Sequence, residues 1–139
     1  MTALSGPRMG TVERDSKDFS RDIAANVKIW QGAIVALSAT GYATPGATAT
    51  TLVADGIAVQ TVDNTGGSAA AFKAPVRKGT FRFANSASTD AITRAEIGDD
   101  CWIVDDQTVA KTNGGDPATR SKAGRIMDVD AQGVWVEFR

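Results

Sequence analysis

Cys101 is the one residue of this 139-residue chain that could serve as a conventional nucleophile, and its surroundings argue against it. A catalytic thiol needs a neighbouring base or cation to lower its pKa. The adjacent Asp99 and Asp100 would raise it instead, and the chain contains no histidine at all. The residue types therefore predict a small buried hydrophobe at Cys101 and leave a cysteine hydrolase as the weakest functional reading. Asp99, Asp100, Asp105 and Asp106 bracket a four-residue stretch where a hard cation would find carboxylates on two turns. The regular alternation of oxygen ligands around a fixed glycine that marks a calcium loop is missing, so these read as solvated turn aspartates. Thr65-Gly66-Gly67-Ser68 and Asn113-Gly114-Gly115-Asp116 lack the strand–loop–helix context and the lysine of a phosphate cradle. No catalytic residue, metal or cofactor is expected.

Lys73, Arg77, Lys78 and Arg82 form the one basic cluster. Alternation along strands places the intervening aromatics on the face opposite these charges, which is core-in, charge-out patterning and not a stacking platform for single-stranded nucleic acid. A patch that meets an acidic protein surface is the functional version of this cluster. Overall charge agrees: 15 Lys+Arg against 16 Asp+Glu leave a net charge of -1, so neither nucleic acid nor an anionic membrane is an expected partner. Trp30 and Trp135 are candidate interface aromatics, because tryptophan is enriched at binding hot spots, with core burial as the competing reading for both.

The elements that must position these residues are short and β-rich. Of the hydrophobic residues, 23 are alanine, while Leu, Ile, Val and Phe total 28, near the lower edge for a self-sufficient core. Residues 29–72 carry only Asp55 and Asp63 as charges. Gly, Thr and Pro interrupt that stretch too often for a transmembrane span. Met1–Gly10 is polar with no apolar run behind it, so neither a signal peptide nor a lipidation motif is expected. Residues 1–26 read as an N-terminal arm, flexible or ordered on a neighbour, with Arg14, Phe19 and Ile23 as its candidate contacts. Residues 27–139 read as one mainly β domain, barrel-like or sandwich-like, of short antiparallel strands.

Predicted strands are Val27–Gln31, Ala33–Leu37, Ile57–Val62, Ala70–Arg77, Thr80–Ala84, Cys101–Val104, Gln107–Lys111, Lys122–Val129 and Gly133–Phe138. Tyr42–Ala54 reads as a surface crossing. One helical turn is signalled by the capping box Thr93-Arg94-Ala95-Glu96, with Gly98 as its stop.

Several segments in order carry a resemblance: Ile29-Trp30-Gln31-Gly32-Ala33-Ile34-Val35, Val62-Asp63-Asn64-Thr65-Gly66-Gly67, Arg77-Lys78-Gly79-Thr80-Phe81-Arg82-Phe83, Ala91–Gly98, and Cys101-Trp102-Ile103-Val104-Asp105-Asp106-Gln107-Thr108-Val109. With Ala123-Gly124-Arg125-Ile126 and Gly133-Val134-Trp135-Val136 they resemble the capsid cement, or head decoration, proteins of tailed bacteriophages, from about Ala25 to the last residue. The resemblance implies a β-rich domain made in the bacterial cytoplasm and carried on the outer surface of the virion capsid. It would bind the expanded icosahedral head as a homotrimer and bridge major capsid protein subunits, with the arm ordering on the shell or on a neighbouring copy. The alternative is a virion-surface or tail-associated adhesion module that binds a host glycan or receptor, with Tyr42–Thr51 and Thr112–Thr119 as exposed contacts.

Overall fold

Period-two alternation in the second half of the chain closes into a barrel. The computed structural model describes residues 2–139. Its strands are β1 (Asp18–Asp22), β2 (Lys28–Ile29), β3 (Ile34–Leu37), β4 (Ala43–Pro45), β5 (Val53–Ala58), β6 (Val62–Asp63), β7 (Lys73–Arg77), β8 (Gly79–Asn85), β9 (Asp100–Ile103), β10 (Thr108–Ala110), β11 (Lys122–Asp130) and β12 (Gly133–Phe138). The barrel runs β10-β8-β12-β11-β9 and back to β10. Its pairs are antiparallel except β8 with β10, which are parallel.

Along β12, Val134, Val136 and Phe138 are buried while Trp135 and Glu137 are half-exposed, as their alternation requires. The Phe138 ring meets Phe83 edge to face, with centroids 5.7 Å apart. At the β11–β12 turn, Asp130 Oδ1 accepts from the backbone N–H groups of Gln132 and Gly133, the local bonding that suits aspartate to turns. Where β11 bends over β12, a Cβ on Gly124 would lie 2.2 Å from the Glu137 carbonyl oxygen, so only glycine permits the approach.

The first half of the chain builds a five-stranded sheet in the order β1-β7-β5-β3-β4. Ile34 and Ala36 of β3 join the barrel core, whereas Val35 between them packs with Ile23, Ile29, Ala58, Val62 and Val76. This strand is buried on both faces, which explains an uninterrupted apolar run where a half-exposed strand would alternate. β2 and β6 form a small separate pair. The capping box is present: Thr93 Oγ1 accepts from the Ala95 N–H and Glu96 Oε2 accepts from the Thr93 N–H. It opens a single 3-10 turn, Arg94–Glu96, preceded by another at Ser88–Asp90.

The structure departs from the sequence expectations in three places. Residues 18–26 are not part of an arm. Asp18–Asp22 pair with β7 over five residues, and Ile23 is fully buried, so the exposed arm is confined to residues 2–17, the first residue lying outside the described ones. The reason is that β1 is held by backbone pairing and ion pairs, which leave no apolar periodicity to read. The crossing Tyr42–Ala54 contains β4 and the start of β5, because its small Ala and Thr side chains pair without an apolar alternation. The expected strand Ile57–Val62 is divided between the end of β5 and the start of β6.

Candidate binding surface

Phe19 on β1 gathers cations. The Arg14 guanidinium lies 4.9 Å from its ring centroid, that of Arg21 4.5 Å, and the Lys78 ammonium 5.7 Å. An aromatic face attracts such groups through its quadrupole. Two of the three also share one buried anion. Arg21 Nε and Nη2 donate to Asp55 at 2.7 and 2.9 Å, and Lys78 Nζ donates to its Oδ1 at 3.0 Å. Asp55 is only 3% exposed. Burial alone would raise its pKa, but the hydrogen bonds from Arg21 and Lys78 outweigh it and hold the carboxyl below the ordinary aspartate value. The same contact raises Arg21.

The basic cluster is largely paired within the chain. Lys73 pairs with Asp22 at 2.6 Å, Arg77 with Asp18 at 2.8 Å and Lys78 with Asp55, so three of the four cations are matched by carboxylates on β1 or β5. The fourth, Arg82, sits on the barrel, with its guanidinium carbon 5.7 Å from the Trp135 ring centroid. Register explains the contact, since Trp135 and Arg82 are cross-strand partners. The Trp135 indole N–H donates to Asp130 at 2.9 Å, which holds that carboxyl below its ordinary value.

The nine residues singled out in the sequence therefore do not form one surface. Arg14, Phe19 and Lys78 come together at β1, with Lys73 and Arg77 on the adjoining strand. Arg82 and Trp135 form a second site on the barrel. Trp30 stands apart, 56% exposed, with the Lys28 ammonium 3.8 Å from its ring centroid. Ile23, expected as a contact of the arm, is instead a fully buried core residue with no surface to offer. Arg21 and Asp55 are not among those nine, although the sequence holds a signal for Asp55: one of only two charges within residues 29–72 sits in a strand-forming stretch, and a carboxylate there needs a cation partner.

Cys101 is buried and donates weakly to the Gly124 carbonyl at 3.6 Å. Burial pushes its pKa up to about 12. Asp100 is paired with Lys122 at 2.9 Å, and Asp105 accepts from the Gln107 N–H. Among the described residues no group of three or more His, Cys, Asp or Glu side chains is placed to hold a metal ion, and no helix is long and apolar enough to cross a membrane.

Several large apolar side chains are exposed as well. Leu4, Met9 and Val12 on the arm are 72%, 89% and 91% exposed, and Trp30, Val53 and Phe72 are more than half exposed on the body. No family model matches the chain, and neither does any curated protein or solved structure.

Proposed function

We propose that this chain is a structural binding protein, a capsid decoration subunit that attaches to the outer surface of an expanded phage head and bridges major capsid protein subunits. The observation that carries the reading is the arm. Residues 2–17 expose three large apolar side chains and then enter β1, which is fastened to the sheet by the Arg21–Asp55 contact and two further ion pairs. An extended segment with unburied Leu, Met and Val gains apolar contact only by lying on another surface, and a firmly anchored root transmits that attachment to the body. Many copies on a lattice multiply modest contacts through effective concentration. The ordered sequence resemblance supplies the capsid, the homotrimer and the virion surface as the setting. A protein thiol buried as Cys101 is offers no competing catalytic account.

The test removes residues 2–17 and measures occupancy on isolated heads together with head survival on heating. The truncated chain is expected to keep its β signature and lose occupancy. Occupancy equal to that of the full chain, or heads that survive heat equally well with and without the full-length protein, would overturn the reading.

A further inference from the structure

Trp30 is the most exposed aromatic residue of the folded body, and it helps to line an open cleft. The cleft lies between the β2–β3 turn and the β9–β10 turn, has a volume of about 480 Å³ and is lined by Trp30, Gln31, Gly32, Ala33, Asp106 and Gln107. This volume is within the range of small-molecule sites, roughly 300–1,000 Å³.

Both walls are held by backbone bonds. The Ala33 N–H donates to the Trp30 carbonyl at 3.0 Å, Gly32 to Ala58 at 2.8 Å, and Gln31 to the Thr61 hydroxyl at 3.0 Å. Gly32 has a φ of +84°, which glycine adopts freely and which lets the turn close. Across the cleft, the Ile34 N–H donates to the Asp106 carbonyl at 2.7 Å and Ala84 to the Gln107 carbonyl at 2.8 Å. The main chain of sheet and barrel is thus locked around the opening.

The side chains are not spent in the same way. The Trp30 indole N–H, the Gln31 and Gln107 amides and the Asp106 carboxylate make no hydrogen bond or ion pair with another described residue. The Lys28 ammonium lies over the indole, 3.8 Å from the ring centroid, and more than half of Trp30 is still exposed. An open, electron-rich ring face suits weakly positive C–H groups. Amides and a carboxylate beside it suit neighbouring hydroxyls, as both donors and acceptors. A ligand with an apolar C–H face rimmed by hydroxyls is a pyranose sugar with equatorial substituents. The Asp106 carboxylate and the Lys28 ammonium over Trp30 together leave the site without net charge, which suits a neutral sugar.

We propose that this cleft binds a neutral oligosaccharide, with Trp30 as the stacking platform and Gln31, Asp106 and Gln107 as the hydroxyl-reading groups. The inference does not depend on the capsid reading, and its failure would leave that reading intact.

The test uses the full chain labelled with ¹⁵N, titrated with cellohexaose, chitohexaose and maltohexaose. The three tryptophans give three indole N–H signals, and Trp30→Phe identifies the one from Trp30. That signal is expected to shift and saturate with at least one of the sugars, with the Trp102 and Trp135 signals still. Trp30→Ala and Gln107→Ala should each weaken binding by about tenfold or more while leaving the remaining spectrum unchanged. No shift with any of the three sugars up to about 10 mM would overturn the proposal, since that excludes even weak recognition. So would shifts that persist undiminished in Trp30→Ala. If Trp30→Ala instead lowers occupancy on phage heads and no sugar moves the signal, the face belongs to a protein contact and the saccharide assignment is wrong.

Discussion

Arg21 reaches across β7 to Asp55, placing its Nε and Nη2 on the two oxygens of a carboxylate two strands away at 2.7 and 2.9 Å. The contact joins the edge strand to the interior of the sheet, and Lys78, donating to the same Oδ1 as Arg21 Nη2, ties in the junction between sheet and barrel. Bidentate geometry makes it the strongest kind of charged hydrogen bond, and burial makes it asymmetric: removing one partner strands the others in a place poor in water.

Asp55→Ala should therefore destabilise the fold by about 3 kcal/mol, the cost typical of breaking a buried pair. By contrast, Asp18→Asn, which removes the exposed partner of Arg77, should cost less than about 1 kcal/mol, because solvent screens that pair. Urea unfolding of the two variants beside the parent checks the contrast. Similar midpoints for Asp55→Ala and Asp18→Asn would mean that burial does not govern the clamp.

Acid should loosen the same clamp. The folded state keeps Asp55 ionised to lower pH than the unfolded chain does, where its pKa is about 3.9. Its stabilisation is then complete above that value and is lost as pH falls through the lower folded pKa. Asp63, Asp90, Glu96 and Asp130 are lowered as well and add to the acid sensitivity, so the Asp55 share needs a difference measurement. The stability gap between the parent and Asp55→Asn is expected to narrow as pH drops from about 6 to about 3. A gap independent of pH would show that the carboxylate charge contributes nothing.

Much of the barrel was legible because its strands are half-buried and alternate. Val134, Val136 and Phe138 against Trp135 and Glu137 fix both the strand and its inward face, and Asp130–Gly133 marks its turn. β1 was not legible, since Asp18, Ser20 and Asp22 point away from any core and the strand gains its place from partners more than 50 residues away in sequence, such as Arg77. The charged cluster failed for the same reason. Sequence displays Lys73, Arg77 and Lys78 as neighbours, but whether they are bare or neutralised depends on carboxylates delivered by β1 and β5. The Trp30 cleft depends on two turns about 75 residues apart, joined by the bond from Ile34 to Asp106, and no local pattern reports such a meeting.

Gly124→Ala should disrupt the barrel at the crossing of β11 and β12. The added methyl would fall 2.2 Å from the Glu137 carbonyl oxygen and 3.0 Å from a Val136 methyl, and the nearer obstacle is backbone, which cannot rotate away. Overpacking a tight site typically costs about 1–3 kcal/mol, and this one adjoins the Cys101 thiol as well. Gly6→Ala, on the arm where nothing lies within 4 Å, is the matched control and should leave the thermal midpoint unchanged. Equal midpoints for both variants would show that the strands separate freely at Gly124.

Cys101 should behave as a reporter of unfolding. With its pKa near 12 and its side chain buried, almost no thiolate exists at pH 8, and reagent reaches the sulfur only when the barrel opens. A disulfide-exchange reagent such as dithiobis(nitrobenzoate) should leave the native protein unlabelled over minutes and react at once in denaturant. Across the Asp55→Ala and Gly124→Ala variants, the slow native labelling should quicken in step with lost stability, because the open population is what reacts. Cys101→Ala should cost about 1 kcal/mol for the missing buried atom and leave attachment to heads unchanged. Rapid labelling of the native parent would instead show the sulfur open to solvent, and loss of attachment in Cys101→Ala would give it a part in binding that its burial on β9 beside β11 does not suggest.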